Sequence, residues 1–156
     1  MHEKHEIGIV NVSFGKNVTI VEPSNVYDCK LNDNVFVGPF VEIQSEVIIG
    51  TRTKIQSHSF ICSKVTIGDD CFIGHGVMFV NDLFLSGGPA KGNKDLWSST
   101  SIGSRVSIGS NATILAVSIC NDVVIGAGSV VTKNINESGV YFGNPAKKYH
   151  GSKINP

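Results

Sequence analysis

A bulky apolar residue recurs at every sixth position over much of this chain, a period that belongs to neither an ordinary helix nor an ordinary strand. In the centre of the chain it falls at Ile49, Ile55, Ile61, Ile67, Ile73 and Phe79. It can be traced back through Ile43, Val37 and Leu31, and it resumes as Ile102, Ile108 and Ile114 and, after one step of five positions, as Ile119, Ile125 and Val131. A short fixed period of six residues predicts a parallel β-helix, so most of the chain is expected to form a single repeat structure.

Each hexad has a second inward position, the fifth, and it holds a smaller residue. From residue 37 onward the hexads are VGPFVE, IQSEVI, IGTRTK, IQSHSF, ICSKVT, IGDDCF and IGHGVM. One large and one small inward residue in every six indicate a short strand followed by a corner. Three such strands make one triangular coil. Roughly seven coils at a spacing of about 4.8 Å make a prism on the order of 30 Å tall. We expect Gly or Asp at the corners, where the extended backbone is broken.

The first 30 residues follow the period only loosely. Their core candidates are Val12, Val18, Ile20 and Val26. The prediction is an irregular first coil that caps the stack.

The period is interrupted between Phe79 and Ile102, which are 23 positions apart, and this is not a multiple of six. The interval contains GGP and GN, so we predict a long loop over residues 80–101. A loop of this length in so regular a fold is uncommon and is often functional.

After Val131 the period fades into a C-terminal tail, residues 134–156, within a single domain that spans 1–156. Lysines give this end a local basic bias, at Lys133, Lys147, Lys148 and Lys153. They form either a solvated tail or a phosphate-binding edge, since an ammonium group meets a phosphate as a point charge.

Charge and composition narrow the classes of partner. Thirteen Lys and Arg balance thirteen Asp and Glu, which argues against nucleic acid or an acidic membrane and favours a small partner. No apolar run approaches the length of about 20 residues that spans a membrane, and the N-terminus lacks a signal-type apolar stretch, so we expect a cytoplasmic protein.

The four cysteines form no CxxC pair and are predicted to be packing residues, without a metal.

With these features, the sequence resembles the left-handed parallel β-helix acyltransferases with hexapeptide repeats, over about residues 12–148. The segments IGAGSVVTK at 125–133 and GNPAKK at 143–148 are similar to the coenzyme A end of these enzymes. IGHGVMFVND at 73–82, followed by the loop and SIGSRVSIGSNATIL, is similar to the N-acetyltransferases of nucleotide-linked amino sugars. The left hand of the coil comes from this resemblance, because parallel crossovers are otherwise right-handed.

The resemblance implies a homotrimer with active sites between adjacent prisms, acetyl-CoA as co-substrate and a nucleotide-linked amino sugar as acceptor, in the synthesis of surface polysaccharide. The pantetheine arm would run parallel to the β-helix axis. The residues placed along the coenzyme A path are Ser110, Ala127, Thr132 and Lys133, with Lys147 or Lys148 at the adenosine phosphate.

Acetyl transfer to an amine needs a base, stabilisation of a developing oxyanion and a held acceptor. His75 is the candidate base, because an ordinary imidazole titrates near pH 6.5, and as third in its hexad it is predicted to point outward at a corner. Asn81 can hold the amine or the thioester carbonyl, and Asp82 can bind a sugar hydroxyl or orient a base; the two can equally start a turn. Trp97 can stack on a base or cover the sugar, or it anchors the loop.

Several alternatives stay open at this point. The leaving sulfur of coenzyme A, rather than His75, can take the proton. The acceptor can be a hydroxyl, which makes the enzyme an O-acetyltransferase. The same fold also carries a zinc enzyme related to γ-class carbonic anhydrases, which needs three histidines, and this chain has His2, His5, His58, His75 and His150 without an H-x4-H pair. A β-helix scaffold protein without catalytic activity is the last alternative.

Overall fold

The hexads fold into very short strands, mostly of two residues, because each hexad also has to supply a corner. In the computed structural model, which describes residues 8–151, these strands build three parallel sheets that form the faces of a left-handed parallel β-helix. The predicted fold class is confirmed. The strands are numbered in chain order below.

The first sheet has seven strands: β1 (Ile9–Val10), β4 (Asn25–Tyr27), β7 (Glu42–Ile43), β10 (Phe60–Ile61), β13 (Met78–Phe79), β16 (Thr113–Ile114) and β19 (Val130–Val131). The second has six: β2 (Ser13–Phe14), β5 (Lys30–Leu31), β8 (Ile48–Ile49), β11 (Val65–Ile67), β14 (Thr100–Ile102) and β17 (Ser118–Ile119). The third has eight: β3 (Thr19–Ile20), β6 (Phe36–Val37), β9 (Lys54–Ile55), β12 (Phe72–Ile73), β15 (Ser107–Ile108), β18 (Val123–Ile125), β20 (Gly139–Phe142) and β21 (Lys147–Lys148). All pairs are parallel except β20 with β21.

Three corners join the sheets, and each is named here by what it carries. The loop corner joins the first sheet to the second and comprises residues 11–12, 28–29, 44–47, 62–64, 80–99, 115–117 and 132–134. The charged corner joins the second to the third and comprises residues 15–18, 32–35, 50–53, 68–71, 103–106 and 120–122. The histidine corner joins the third to the first and comprises residues 21–24, 38–41, 56–59, 74–77, 109–112 and 126–129.

The core is the interior of the prism, and the predicted inward residues form it. Every residue of the six-residue period from Leu31 to Val131 is buried, as is Val26 in the second coil. Val12, Val18 and Ile20 are partly buried against this core, so the first coil does cap the stack. The smaller fifth positions are buried too, and where they are polar their hydroxyls are bonded: Thr53 donates to the Gly68 carbonyl at 2.8 Å, and Ser59 to the Gly74 carbonyl at 2.8 Å.

The corners differ from the expectation that Gly or Asp would break the extended backbone. The fourth residue of each central hexad is left-handed whatever its type, at Phe40, Glu46, Arg52, His58, Lys64, Asp70 and Gly76. Backbone hydrogen bonds between coils impose this geometry, as where Arg52 N donates to the Asp33 carbonyl at 2.9 Å. The expectation holds at Asp70 and Gly76 and fails at the other five positions, because stacking, repeated at every coil, outweighs the preference of the single residue.

The glycines in the second position of the hexads serve a different purpose. Gly50, Gly68 and Gly103 stack on consecutive coils of the second sheet, and neither Gly50 nor Gly68 is left-handed. A Cβ on Gly50 would overlap the backbone of Gly68, and one on Gly68 would lie 2.7 Å from the Gly103 carbonyl carbon. Glycine is therefore required here by the close approach of successive coils.

The two irregular segments leave the coil stack at different heights, the long loop from its middle and the C-terminal extension from its upper end. The predicted loop lies between β13 and β14, over residues 80–99, and contains a short 3-10 helix at Lys94–Leu96. At the C-terminal end, residues 134–142 still belong to the prism: Ile135 is buried and bridges Ile119, and β20 pairs with β18. The extension proper is the turn after Phe142 and β21. Within residues 8–151, no helix has the length and apolar character to cross a membrane.

Candidate active site

Third-position residues of successive hexads form a column along the histidine corner. Its members rise coil by coil in the order Pro39, Ser57, His75, Ser110 and Ala127. The register is fixed by the backbone: Gly76 N donates to the Ser57 carbonyl at 3.0 Å, Asn111 N to the His75 carbonyl at 2.8 Å and Gly128 N to the Ser110 carbonyl at 2.9 Å. Three residues predicted for the site from the sequence, His75, Ser110 and Ala127, are thus consecutive members of one column.

His75 is exposed at this corner, as its hexad position predicts, and its ring is held from below. Its Nδ1 atom lies 2.9 Å from the hydroxyl oxygen of Ser57. In the tautomer that carries its proton on Nδ1, the imidazole donates to Ser57 and keeps Nε2 as an acceptor. The arrangement suits a general base whose orientation is set by a neighbour.

Beside the column, the third sheet has a strip without side chains. Gly74, Gly109 and Gly126 occupy the second hexad position on three consecutive coils, next to His75, Ser110 and Ala127. A Cβ on Gly74 would lie 2.7 Å from the Ile108 carbonyl oxygen, and one on Gly126 would lie 2.7 Å from Phe142 Cβ. Glycine is required in this row by the close approach of successive coils, and the row ends below Phe142.

The turn after Phe142 closes the top of the same corner. Gly143 N donates to the Ser129 hydroxyl at 3.1 Å, and Ala146 N donates to the Val130 carbonyl at 2.8 Å. A cavity of about 410 Å³ lies over this turn and is lined by Phe142, Gly143, Asn144, Pro145, Lys147, Lys148, Tyr149 and His150. A basic cavity thus stands at the upper end of the His75 column.

The two tail lysines differ in their surroundings. Lys148 Nζ lies 2.7 Å from a carboxylate oxygen of Glu137, and the hydrogen bond raises the pKa of Lys148 and lowers the pKa of Glu137. Lys147 is exposed, and the ion pairs found in residues 8–151 do not include it. Lys147 is therefore the better placed of the two to meet an external phosphate, while Lys153 lies outside the described residues.

The other predicted residues lie on the loop corner, one sheet away from His75. Asn81 Nδ2 donates to the Ser63 carbonyl at 3.1 Å. Both carboxylate oxygens of Asp82 accept backbone N–H groups of the loop, from Phe84 at 3.1 Å and from Ala90 at 2.8 Å. Asn81 and Asp82 thus fix the start of the loop to the prism and hold its shape.

Further contacts fold the loop back over the lower coils. Lys64 Nζ donates to the carbonyls of Lys94 at 2.6 Å and Trp97 at 3.3 Å, and Lys94 Nζ lies 3.6 Å from a carboxylate oxygen of Glu46. The Trp97 side chain is half-buried at the base of the loop. Thr132 and Lys133 are exposed higher on the same corner, just after β19.

One chain therefore does not bring all predicted residues together. His75, Ser110 and Ala127 share the histidine corner, whereas Asn81, Asp82, Trp97, Thr132 and Lys133 belong to the loop corner. The hexad period could have revealed Ser57, which sequence reasoning missed, because it precedes His75 by one full coil at the same position.

The cysteines show no sign of a reactive thiol in the site. Cys29, Cys62 and Cys71 are buried, and burial raises the pKa of the Cys29 thiol to about 11 and that of Cys62 to about 12. A thiol protonated at neutral pH is a poor nucleophile. The prediction that these three are packing residues is confirmed by their places in the core.

The zinc alternative has no support in the described part of the chain. In residues 8–151, no group of three His, Cys, Asp or Glu side chains is arranged to hold a metal ion. His58 stacks on Phe40, and His75 contacts Ser57. His2 and His5 lie outside the described residues.

The charged corner carries a ladder of ion pairs. Arg52 binds Asp70 through two N···O contacts of 2.6 Å, and Arg105 binds Asp122 through contacts of 2.7 and 2.9 Å. These hydrogen bonds are the main reason that the pKa values of the Asp70 and Asp122 carboxyl groups are lowered. Arg105 is thus engaged within the prism and lies away from the His75 column.

Comparison with known sequences and structures agrees with this geometry. A profile described as the hexapeptide repeat of succinyl-transferase matches residues 64–78 and 99–133, and one described as bacterial transferase hexapeptide (six repeats) matches residues 28–63. Together they cover more than half of the chain. The fold and its repeat define the class of parallel β-helices with hexapeptide repeats. This chain belongs to the hexapeptide-repeat transferases.

Similar solved structures come from the same class. One is a perosamine N-acetyltransferase variant from Caulobacter crescentus, solved with coenzyme A and GDP-perosamine, which is 23% identical to this chain with a TM-score of 0.73. The match covers 86% of this chain and 57% of the Caulobacter protein. A galactoside acetyltransferase with coenzyme A is 29% identical, with a TM-score of 0.66, and the match covers 77% of this chain and 63% of that protein. A hexapeptide-repeat acetyltransferase of Vibrio cholerae O1 biovar eltor, with acetyl coenzyme A, is 20% identical, with 94% and 73% covered and a TM-score of 0.63.

This chain spans less than two thirds of the length of the first two of these proteins. Comparison with curated protein sequences found no match.

Proposed function

We propose that this protein transfers an acetyl group from acetyl-CoA to the amine of a nucleotide-linked amino sugar. The observation that carries the proposal is the column His75, Ser110 and Ala127 on one corner, beside a row of glycines and below a basic cavity. The column places a held imidazole and a basic cavity along one line of the prism. A positioned base and a site for the phosphates of coenzyme A both favour transfer of an acyl group to an amine.

Coenzyme A would follow the upper part of the column. Its pantetheine arm is long and thin, which suits the strip of Gly74, Gly109 and Gly126, and Ala127 is small enough to let backbone groups approach the arm. Lys147 in the basic cavity would meet a phosphate of the adenosine end. Solved relatives that contain coenzyme A or acetyl coenzyme A support this co-substrate.

Each active site would combine two subunits of a homotrimer. His75 of one subunit lies on the histidine corner, and Asn81, Asp82 and Trp97 lie one sheet away on the loop corner. When prisms pack side by side around a three-fold axis, the loop corner of one can face the histidine corner of the next. Thr132 and Lys133, which are also on the loop corner, would then reach coenzyme A from the neighbouring subunit.

The proposed reaction begins with the amine nitrogen next to His75. His75 Nε2 accepts the proton as the nitrogen attacks the thioester carbonyl, while Ser57 holds the ring through Nδ1. The Asn81 amide lies at the start of the loop and would donate to the carbonyl oxygen as it becomes negative. Collapse of the tetrahedral intermediate breaks the C–S bond and releases the coenzyme A thiolate, which takes the proton from His75, so the acetylated amine remains and the base is restored.

The acceptor could instead be a sugar hydroxyl, and one observation favours this second function. The galactoside acetyltransferase shares 29% identity with this chain, and a galactoside offers hydroxyl groups rather than an amine. Against it, perosamine is an amino sugar carried on GDP, and the structure solved with it also contains coenzyme A.

The direct test offers the purified protein acetyl-CoA together with separate acceptors and follows release of the coenzyme A thiol. The acceptors are dTDP-, UDP- and GDP-linked amino sugars, their hydroxyl counterparts and simple galactosides. Thiol release that depends on an amino sugar supports the proposal. Release with hydroxylated acceptors alone assigns the protein as an O-acetyltransferase, and no release with any acceptor refutes acetyl transfer.

A further inference from the structure

Two aromatic rings stack on the histidine corner, below His75 and outside the site described above. The ring centroids of Phe40 and His58 lie 4.9 Å apart with an angle of 29° between the planes. This separation equals about one coil spacing, so each ring extends from its own coil. Both side chains are exposed. Phe40 and His58 together are called the aromatic platform below.

Phe40 is an unusual residue for its position. Its φ is 59°, in the left-handed region, and its relative exposure is 57%. A bulky side chain gains nothing locally from this backbone conformation, and an exposed ring gains little from burial. Elsewhere in residues 8–151, the left-handed non-glycine residues are Asn, Asp, Glu, Arg, His and Lys, apart from Phe84 in the long loop. The higher coils place His58, Gly76, Asn111 and Gly128 at the same position of this corner, so an exposed phenyl ring here offers an apolar surface that the repeat itself does not require.

A small pocket adjoins the platform. It has a volume of about 200 Å³ and is lined by Pro23, Ser24, Asn25, Phe40, Val41 and Glu42. Asn25 Oδ1 accepts from Gly8 N at 3.4 Å, and Glu42 Oε1 accepts from Gln44 at 2.8 Å. The Asn25 amide group and Glu42 Oε2 therefore remain as a donor and an acceptor beside an aromatic surface, as far as residues 8–151 show.

The platform is aligned with the reaction centre. His58 follows Ser57, and Phe40 follows Pro39, so the platform is next to the members of the column below His75. His58 N donates to the Pro39 carbonyl at 3.2 Å, which fixes this register. From His75 down to Phe40 is two coil spacings, or about 10 Å. The proposed coenzyme A path runs the opposite way, from His75 up through Ser110 and Ala127.

We propose that the aromatic platform of Phe40 and His58, with its adjoining pocket, binds the nucleobase of the acceptor. The inference rests on the proposed function, since it requires a nucleotide-linked acceptor whose reacting group lies at His75. A diphosphate and a ribose separate the sugar of such an acceptor from its base, and that spacer covers the two coils between His75 and Phe40. The base then stacks on Phe40 and presents its edge to Asn25 and Glu42.

The test compares Phe40 variants in steady-state kinetics and nucleotide binding. Phe40→Ala raises the KM for the nucleotide-linked amino sugar by about tenfold to a hundredfold, the range expected for the loss of one stacked base. The KM for acetyl-CoA stays unchanged. Phe40→Asn, which suits a left-handed backbone, gives the same result without the risk of misfolding, and Phe40→Trp retains tight binding. Phe14→Ala is the matched control, because Phe14 is 51% exposed on the second sheet.

Calorimetric titration with free dTDP, UDP and GDP separates this inference from the proposed function. At least one of them binds the wild-type protein in the absence of acetyl-CoA and binds Phe40→Ala about tenfold more weakly or worse. Equal affinity and equal KM in wild type and Phe40→Ala overturn the inference, even when amino sugars are acetylated. The inference is also overturned if Phe40→Ala changes subunit assembly but leaves nucleotide affinity unchanged. That result would assign the platform as a contact between subunits. If no amino sugar is acetylated, the proposed function fails and the titrations still decide whether the platform binds a nucleobase.

Discussion

His75 Nδ1 lies 2.9 Å from Ser57 Oγ, and the two residues hold the same place on consecutive coils of the histidine corner. The contact is built by the repeat itself, because residues one coil apart stack directly. It holds an exposed imidazole through Nδ1 and leaves Nε2 for a second partner. A base in the proposed site needs that orientation more than it needs burial.

The first prediction concerns this pair. His75→Ala lowers kcat by about a hundredfold or more, the usual contribution of a general base, and leaves the KM for acetyl-CoA unchanged. Ser57→Ala leaves the base in place but free to rotate, so the loss in kcat is smaller, about tenfold, and the KM for acetyl-CoA again stays unchanged. Ser104→Ala, at the third hexad position of the charged corner, is the control. Wild-type turnover in His75→Ala would instead leave the departing sulfur of coenzyme A as the proton acceptor.

A second prediction separates the two residues at the start of the loop. Asn81→Ala lowers turnover by at least about tenfold, because its amide is the proposed donor to the developing oxyanion. Asp82→Ala removes the acceptor of two loop N–H groups, so it loosens residues 80–99 and raises the KM for the acceptor. Limited proteolysis after Lys91 and Lys94 reports the loosening. Unchanged turnover in Asn81→Ala removes Asn81 from the site.

The third prediction tests why glycine occupies the second hexad position. Gly50→Ala lowers the free energy of unfolding by about 1–3 kcal/mol, because the new methyl group meets the backbone of Gly68 and forces the coils apart. Gly88→Ala, in the loop, is the matched control, since nothing lies within 4 Å of its Cβ position. Thermal denaturation of both variants measures the difference. Equal melting temperatures would show that the coils do not need this close approach.

A fourth prediction tests the site between subunits. Light scattering first gives the mass of a trimer. Separately inactive His75→Ala and Asn81→Ala chains are then unfolded, mixed and refolded together. If each site uses His75 of one subunit and Asn81 of the next, random mixing restores about a quarter of the wild-type sites. A mixture as inactive as its components would place both residues in one subunit's site.

Much of the fold could be predicted from the sequence because the six-residue period reports burial directly. Ile49, Ile73 and Phe79 are all within 1% of full burial. The end of the period at Phe79 also located the loop. The corners were mispredicted, since Phe40 and Arg52 adopt left-handed conformations that contacts between coils impose. That cooperative effect is not visible in the preference of any single residue.

The site was harder to predict than the fold, because the period does not say which corners face each other. It placed His75, Ser110 and Ala127 at the same hexad position, and the structure puts them in one column. The pairing of Lys148 with Glu137 depends on the antiparallel turn into β21, which interrupts the period, so Lys147 and Lys148 were indistinguishable. The platform of Phe40 and His58 was missed because a left-handed corner had not been expected at either residue.

The measurement that tests the central claim most directly is the mass and alkali stability of the product formed from acetyl-CoA and a nucleotide-linked amino sugar. The account predicts a nucleotide sugar heavier by one acetyl group, formed by the wild-type protein and at most weakly by His75→Ala. Because the new bond is an amide, the acetyl group survives mild alkali, whereas an ester is cleaved. An alkali-labile product, or no acetylated nucleotide sugar at all, would contradict the account.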